Sequence, residues 1–427
     1  MGATDERRCR ALARTAIVTT AVLLGASGPV PAAPLVFTPR LSVSEEFNDN
    51  ILFSSNKTYD FITSITPGLT LQYRQPTLTF TLNASNSAQI FARDTSQTNG
   101  AATQNGSLFA SYRASPRLTF TVGDGVTHVT QTRTGNLPSS APPPPPGVEQ
   151  PPPPPPSFDT STLVANGDVL SNYFTAQASY AFTPTWSAAV NYANSLSNFT
   201  SEGGNDLTNT AGLQMRYTWD PQLSFFGAYS YSHFSFGQST TSTTNGTPSS
   251  APDTDSHAIT AGGAYAFAQT WSVSGFAGLS INSSSGSSGN NVANGVFPTF
   301  SATLTKSFER GSLLLGAAQG ATSSAGVGGV SQTTSAFMYY QQQLLENLNG
   351  WAGASFSHYD TSPSFNALVA NVGLSYPLWR YLNAGLTYTY QRSDATVSQS
   401  NTVQTGVVDS NIVLLYLTAY YPVQGSL

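Results

Sequence analysis

The chain has 427 residues and a formal net charge of −5, and only 9% of its residues are charged where a soluble globular chain carries roughly a quarter. That shortage excludes an ordinary soluble domain, and the absence of a basic, aromatic-interleaved patch excludes a nucleic-acid binder. A mean hydropathy of −0.14 is too polar for a bundle of apolar spanning helices, so half of the residues must face something aqueous.

The first stretch reads as an export signal. Arg7, Arg8, Arg10 and Arg14 form a basic start, Ala16 to Ala26 is an apolar run far short of a spanning helix, and Val30-Pro31-Ala32 offers small residues for cleavage. Residues 1–32 are therefore expected to be a cleaved secretory signal and 33–427 a single domain. Removing those four arginines with Asp5 and Glu6 leaves 12 basic and 19 acidic residues, a net of −7. The single cysteine, Cys9, leaves with the signal, so the mature chain can build no disulfide and no thiolate metal site. No cofactor or metal motif is expected.

From residue 41 onward the hydrophobic pattern has period two. Leu78, Phe80, Leu82 and Ala84 alternate with Thr77, Thr79, Thr81 and Asn83, and Leu118, Phe120 and Val122 with Thr119 and Thr121. Trp186, Ala188, Val190 and Tyr192 alternate with Ser187 and Asn191, and Trp271 and Val273 with Ser272 and Ser274. Leu382, Ala384, Leu386, Tyr388 and Tyr390 repeat the pattern near the end. One greasy and one hydroxylic face on every strand is the signature of a transmembrane barrel. The hydroxylic set Thr77, Thr79, Thr81, Asn83, Thr119, Thr121, Ser187, Asn191, Ser272 and Ser274 is the candidate lumen lining.

A recurring phrase marks the short turns between these strands: Ser179-Tyr-Ala-Phe-Thr-Pro-Thr-Trp-Ser187, Arg216-Tyr-Thr-Trp-Asp-Pro-Gln-Leu-Ser224, Ala264-Tyr-Ala-Phe-Ala-Gln-Thr-Trp-Ser272 and Ser375-Tyr-Pro-Leu-Trp-Arg-Tyr-Leu-Asn383. Rings that bracket turns are selected at a lipid–water boundary, where the ring meets acyl chains and its polar edge stays wet. Tyr180, Phe182, Trp186, Tyr217, Trp219, Tyr265, Phe267, Trp271, Tyr376 and Trp379 are the expected belt. Eight such turns alternate with nine long polar loops, which predicts an all-β, antiparallel up-and-down β-barrel of about eighteen strands, each about ten residues long. One misread hairpin would make it sixteen. The even number places both termini on the short-turn side, periplasmic in an outer-membrane barrel, with the long loops extracellular.

Charge is polarised along that axis. Arg40, Arg74, Arg113, Arg117, Arg216, Lys306, Arg310 and Arg380 collect beside the turns, whereas Asp49, Asp60, Asp94, Asp206, Asp255, Asp394 and Asp409 are among the acids of the loop half. Two readings follow: rim solvation with headgroup pairing, or an acidic mouth favouring cations and neutral solutes. The proline runs 142–146 and 151–156 stiffen the 134–165 loop and keep it out of any ladder, as a stalk or plain loop rather than a plug. His128, His233, His257 and His358 show no metal spacing and no nucleophile elbow, so no enzyme is expected.

The stretch Leu41-Ser-Val-Ser-Glu-Glu-Phe-Asn-Asp-Asn-Ile-Leu-Phe53, with Lys57, Asp60 to Thr63 and Ile65 to Leu69, resembles the opening hairpin of the beta-barrel porin type 2 family. Leu382 to Tyr390 and Asn411 to Tyr420 resemble its closing hairpin. The resemblance implies export to the outer membrane of a Gram-negative bacterium, contact with lipid and lipopolysaccharide and with the barrel assembly machinery, and genetic association with exopolysaccharide and exosortase systems. It implies a porin-like channel for passage or export of polar solutes or polysaccharide. The alternative is a structural or adhesive barrel with a plugged lumen and working surface loops. A homotrimer is expected by analogy with porins of this size alone. The proline-rich loop and the tail Gln424-Gly-Ser-Leu427 depart from the family pattern.

Overall fold

A computed structural model describes residues 34–130, 168–199, 204–237, 253–284, 294–323, 330–361, 364–397 and 403–426. The signal, its cleavage point and the proline-rich 134–165 loop lie outside the described residues. Nineteen strands follow one another: β1 Pro34–Asn48, β2 Asp60–Arg74, β3 Leu78–Phe91, β4 Asn99–Ser115, β5 Leu118–Val129, β6 Val169–Ala181, β7 Trp186–Phe199, β8 Gly204–Thr218, β9 Leu223–Phe236, β10 Thr254–Ala268, β11 Trp271–Ser284, β12 Gly295–Phe308, β13 Gly311–Ser323, β14 Val330–Gln343, β15 Asn349–Asp360, β16 Phe365–Trp379, β17 Leu382–Val397, β18 Val403–Tyr420 and β19 Val423–Ser426. Each of β1 to β18 pairs antiparallel with its neighbour in sequence, and β1 pairs with β2, β18 and β19. Eighteen strands thus close into a barrel with no free edge, as the alternation of turns and loops predicted.

Strand length departs from the sequence estimate. The barrel strands run 12 to 18 residues rather than about ten, because the ladder continues past the apolar band into the loop side. Residues 99–104 and 392–397 carry β4 and β17 into that side. The tail is also used: after Tyr420, β19 pairs Leu35 to Gly425 and Phe37 to Val423, so the last residues extend the seam below β18.

Register decides the faces. Val43, Ile65, Leu82, Leu108, Val122, Val190, Leu213, Tyr229, Ile259, Leu279, Leu304, Leu315, Met338, Phe356, Val372, Leu386 and Leu415 fall on one face, and following the pairs once round returns to that same face. An even strand number with period-two side chains makes this closure possible. A hydrogen-bonded row followed round the barrel comes back to β1 about 22 residues further along, a stagger that tilts eighteen strands by about 40°. On β15 to β17 the polar face is buried (Ser355, Ser357, Asn371, Thr389, Gln391, Ser393) and the apolar face exposed (Phe356, Val372, Leu374, Leu386, Tyr388). Side chains converge on the concave side of a closed sheet and splay on the convex side, so the hydroxylic face points inward.

Candidate functional site

The inner wall is built from serine, threonine and asparagine that bond along and across the ladder. Thr70 Oγ1 donates to Asn83 Oδ1 at 2.8 Å, Asn83 Nδ2 to Ser107 Oγ at 3.2 Å, and Ser42 Oγ lies 2.9 Å from Thr418 Oγ1 across the β1–β18 seam. By register, Thr79, Thr81, Asn83, Thr119, Thr121, Ser187, Asn191, Ser272 and Ser274 all share this face, and Thr77 sits in the turn before β3 with its carbonyl accepting from Arg113 N.

The aromatic residues expected to form a belt lie at the turn side of the opposite face. Trp186 and Tyr217 are paired across strands with ring centroids 4.8 Å apart, Tyr180 and Phe182 stand edge-on at 5.0 Å, and Trp219 meets Tyr217 at 6.2 Å. Phe267 lies between Tyr265 and Trp271, and Lys306 Nζ sits 4.4 Å above the Trp271 ring. Tyr376 is exposed, and Trp379, 74% exposed, protrudes from its turn.

The loop end holds the structure that the residue-by-residue reading missed. The first outer loop, 49–59, turns back over the polar face. Phe53, 7% exposed, packs with Tyr359, Phe365, Ala367, Val369, Ala395 and Val408, while Ile51 and Leu52 pack on Ile62 and Phe91 of β2 and β3. The loop therefore reaches from β3 on one side of β1 to β15 on the other. Its turn is tight: Phe53 N donates to Asn50 O, and Phe53 has φ +41, a left-handed conformation that costs a non-glycine residue about 1–2 kcal/mol.

The opening motif supplies the anchors. Asn48 Oδ1 accepts from Asn50 N and from Ser410 Oγ, both at 2.9 Å, and Asn48 Nδ2 donates to Glu46 Oε1. Asn50 Nδ2 donates to Ser54 O and to Asp409 O, and Asn50 Oδ1 accepts from Ser54 N. Lys57 Nζ then bridges Asp49 Oδ2 at 3.1 Å and Asp409 Oδ2 at 2.6 Å. Burial alone would raise the Asp49 carboxyl, but the backbone and side-chain N–H groups of Asn411 and the Lys57 ammonium outweigh it and hold it below the usual carboxylate range. Burial pulls Lys57 down, and its two carboxylate partners push it above its ordinary value. A motif recognisable only as a resemblance is thus, in physical terms, a set of instructions for folding this loop inward.

Asp60 is fully buried and its carboxylate accepts the backbone N–H of Phe61, Arg93 and Asp94, which ties the second loop to the root of the first. Further round, Phe234 and Phe236 of β9 pack against Val330 of β14, pinching the outer end across the intervening strands. Asp49, Asp409, Asp60 and Asp255 are all engaged by donors from the wall or the first loop, the last by Tyr231 and His233. On the inner face, by contrast, Arg74, Arg113 and Arg216 are exposed without an ion-pair partner among the described residues, and Arg40 lies against Gly68. His233 and His257 lie close together on the outward face of β9 and β10, bonded to Asp255 and Tyr229, and His358 stands apart on β15, bonded to Asn366. Among the described residues no group of three metal-ligating side chains converges.

No family model matches the chain, and no curated protein matches it. Among solved structures, it is similar to OccAB4 of Acinetobacter baumannii at 11% identity and TM-score 0.44, over 93% of this chain and 100% of that one. It is similar to OccK11 (OpdR) of Pseudomonas aeruginosa at 13% identity and TM-score 0.44, over 91% and 96%. OpdQ of the same organism matches at 12% identity and TM-score 0.44, over 91% and 99%. The fold assignment stands on the closed ladder itself.

Proposed function

We propose that this barrel stands in the outer membrane of a Gram-negative bacterium, turns toward the periplasm and loops outward, and serves as a porin-like channel for polar solutes without catalysing a reaction. The observation that carries the reading is the inverted wall: an apolar face turned outward and a largely hydroxylic face turned inward round eighteen strands. A water-soluble barrel would bury its apolar face, whereas lipid outside and water inside select this arrangement. The ten hydroxylic positions named above line the path, and the ten belt aromatics mark the periplasmic boundary of the bilayer. A polysaccharide-related cargo belongs to this proposal only through the resemblance of the chain's two ends to the porin type 2 pattern. Sec-dependent export through residues 1–32, insertion by the assembly machinery and a trimeric state belong to the same reading.

The inward first loop and the Phe234–Phe236–Val330 pinch favour a second reading, a barrel closed at its outer end whose loops are the working surface. Planar-bilayer conductance of the purified full-length protein separates the two. Discrete ohmic steps are expected of the pore; a membrane that stays insulating at all voltages, with protein inserted, would establish the closed barrel instead.

A further inference from the structure

Aromatic residues interrupt the small, hydroxylic pattern of the inner face at several places, Phe109, Tyr173 and Phe226 among them, and three of these rings, Phe337, Trp351 and Tyr416, share one posture. Each lies across a glycine on the neighbouring strand. An ideal Cβ built on Gly316 would stand 2.2 Å from Phe337 Cζ, one on Gly373 2.2 Å from Trp351 Cζ2, and one on Gly385 2.2 Å from Tyr416 Cζ. The register pairs each ring residue with that glycine on the inward face. The far end of each ring therefore reaches over the glycine, which lays the ring along the wall with one face toward the lumen. All three remain only partly buried.

Their level matters as much as their posture. Allowing for the climb of each row round a barrel tilted by about 40°, Phe337, Trp351 and Tyr416 fall within roughly 10 Å of one height, near the middle of the apolar band. Phe226, Phe276 and Tyr339 reach the same zone from the same face. Strands β9 to β18 present no charged side chain on the inner face among the described residues; the inward charges, including Arg40, Arg74, Arg113 and Arg216, all lie on β1 to β8. Phe337 and Trp351 therefore sit in an uncharged stretch of wall, and Tyr416 stands at its border, paired with Ser44 of β1 and diagonal to the inward Glu46.

Resting on the open-pore reading, we propose that Phe337, Trp351 and Tyr416 form a stacking track for solutes that combine a flat apolar ring face with a polar rim. Pyranose rings and phenolic rings share that chemistry: their faces stack on the aromatic surface while their hydroxyl edges bond to the surrounding wall. The glycines are part of the device, because any Cβ there would tilt the ring off the wall into the lumen.

The test is single-channel recording of the full-length barrel with maltotriose, 4-hydroxybenzyl alcohol and acyclic sorbitol as probes. Saturable current block by maltotriose, by the phenol or by both is expected, with sorbitol reducing current only as bulk viscosity does. Block by maltotriose alone assigns a saccharide, and block by the phenol alone assigns a phenolic solute. The F337L/W351L/Y416L variant keeps apolar bulk but removes the flat faces, and the half-blocking concentration should rise about tenfold or more. Folding of the variant is read from its heat-modifiable gel shift, and the three single variants replace it if it fails to fold, each expected to weaken block about threefold. A conducting barrel that sorbitol blocks as well as the ring probes do, or whose block survives loss of the rings, overturns the track. A barrel that never conducts overturns the pore reading from which the track was argued.

Discussion

Replacing Phe53 with alanine tests whether the first loop is held against the inner wall by one side chain. The ring is 7% exposed and touches residues from β15 to β18, so its truncation removes a buried aromatic at a cost of about 3–5 kcal/mol. What remains is the asparagine network and the Lys57 bridge, and the latter is 40% exposed on the lysine side and contributes at most about 1 kcal/mol. The barrel ladder is untouched, so the loss falls on local opening of residues 49–59 rather than on global unfolding. At 1.4 kcal/mol per decade, even the lower figure raises the opened fraction about a hundredfold. Amide hydrogen exchange reports it directly, because Ile51 N donates to Thr58 O and Ser54 N to Asn50 Oδ1 only while the loop is folded. Both amides should exchange about a hundredfold faster in Phe53→Ala, and conductance should rise as the mouth widens. Phe53→Gly should open the loop no further than alanine although it removes one carbon more, since glycine takes φ +41 without strain. Unchanged protection at Ile51 and Ser54 in the alanine variant would refute the account.

The Lys57 clamp carries a pH window. Asp49 is depressed, so its contribution is present above the ordinary carboxylate range and is lost as pH falls through its lowered value; Lys57 is raised, so its contribution is complete below the ordinary lysine value and is lost as pH rises through the raised one. Protection of the loop amides, corrected for intrinsic exchange, should be flat from about pH 5 to 9 and fall on either side, and Lys57→Met should remove the alkaline fall. Gly373→Ala must displace the Trp351 ring, and should lower the stability of the folded band in urea by about 1–3 kcal/mol, recovered in G373A/W351L. Combined Arg74→Gln, Arg113→Gln and Arg216→Gln should shift the reversal potential in a salt gradient toward cations; no shift would show that these arginines do not face the current path. Deleting Ser139 to Ser157 should leave conductance unchanged, whereas an increase would make that loop a plug.

Strand number, parity and the alternation of each strand's two faces were legible in the chain because they depend on local order. Period two is a property of the extended backbone, and turn chemistry is written in adjacent residues such as Thr183-Pro184 and Asp220-Pro221. What escaped is what depends on residues far apart in sequence. Phe53 meets Phe365, and Asn48 meets Ser410, only because the last strand closes on the first. Nothing near Phe53 distinguishes an inward loop from an outward one, although the density of asparagine and aspartate from 48 to 50 was a sign of a loop that must satisfy its own backbone. Phe337, Trp351 and Tyr416 did leave a trace, as rings out of phase with the apolar repeat. Their meaning required the cross-strand register that sets each against a glycine, and register over such separations is decided by closure of the barrel, which couples all eighteen strands at once.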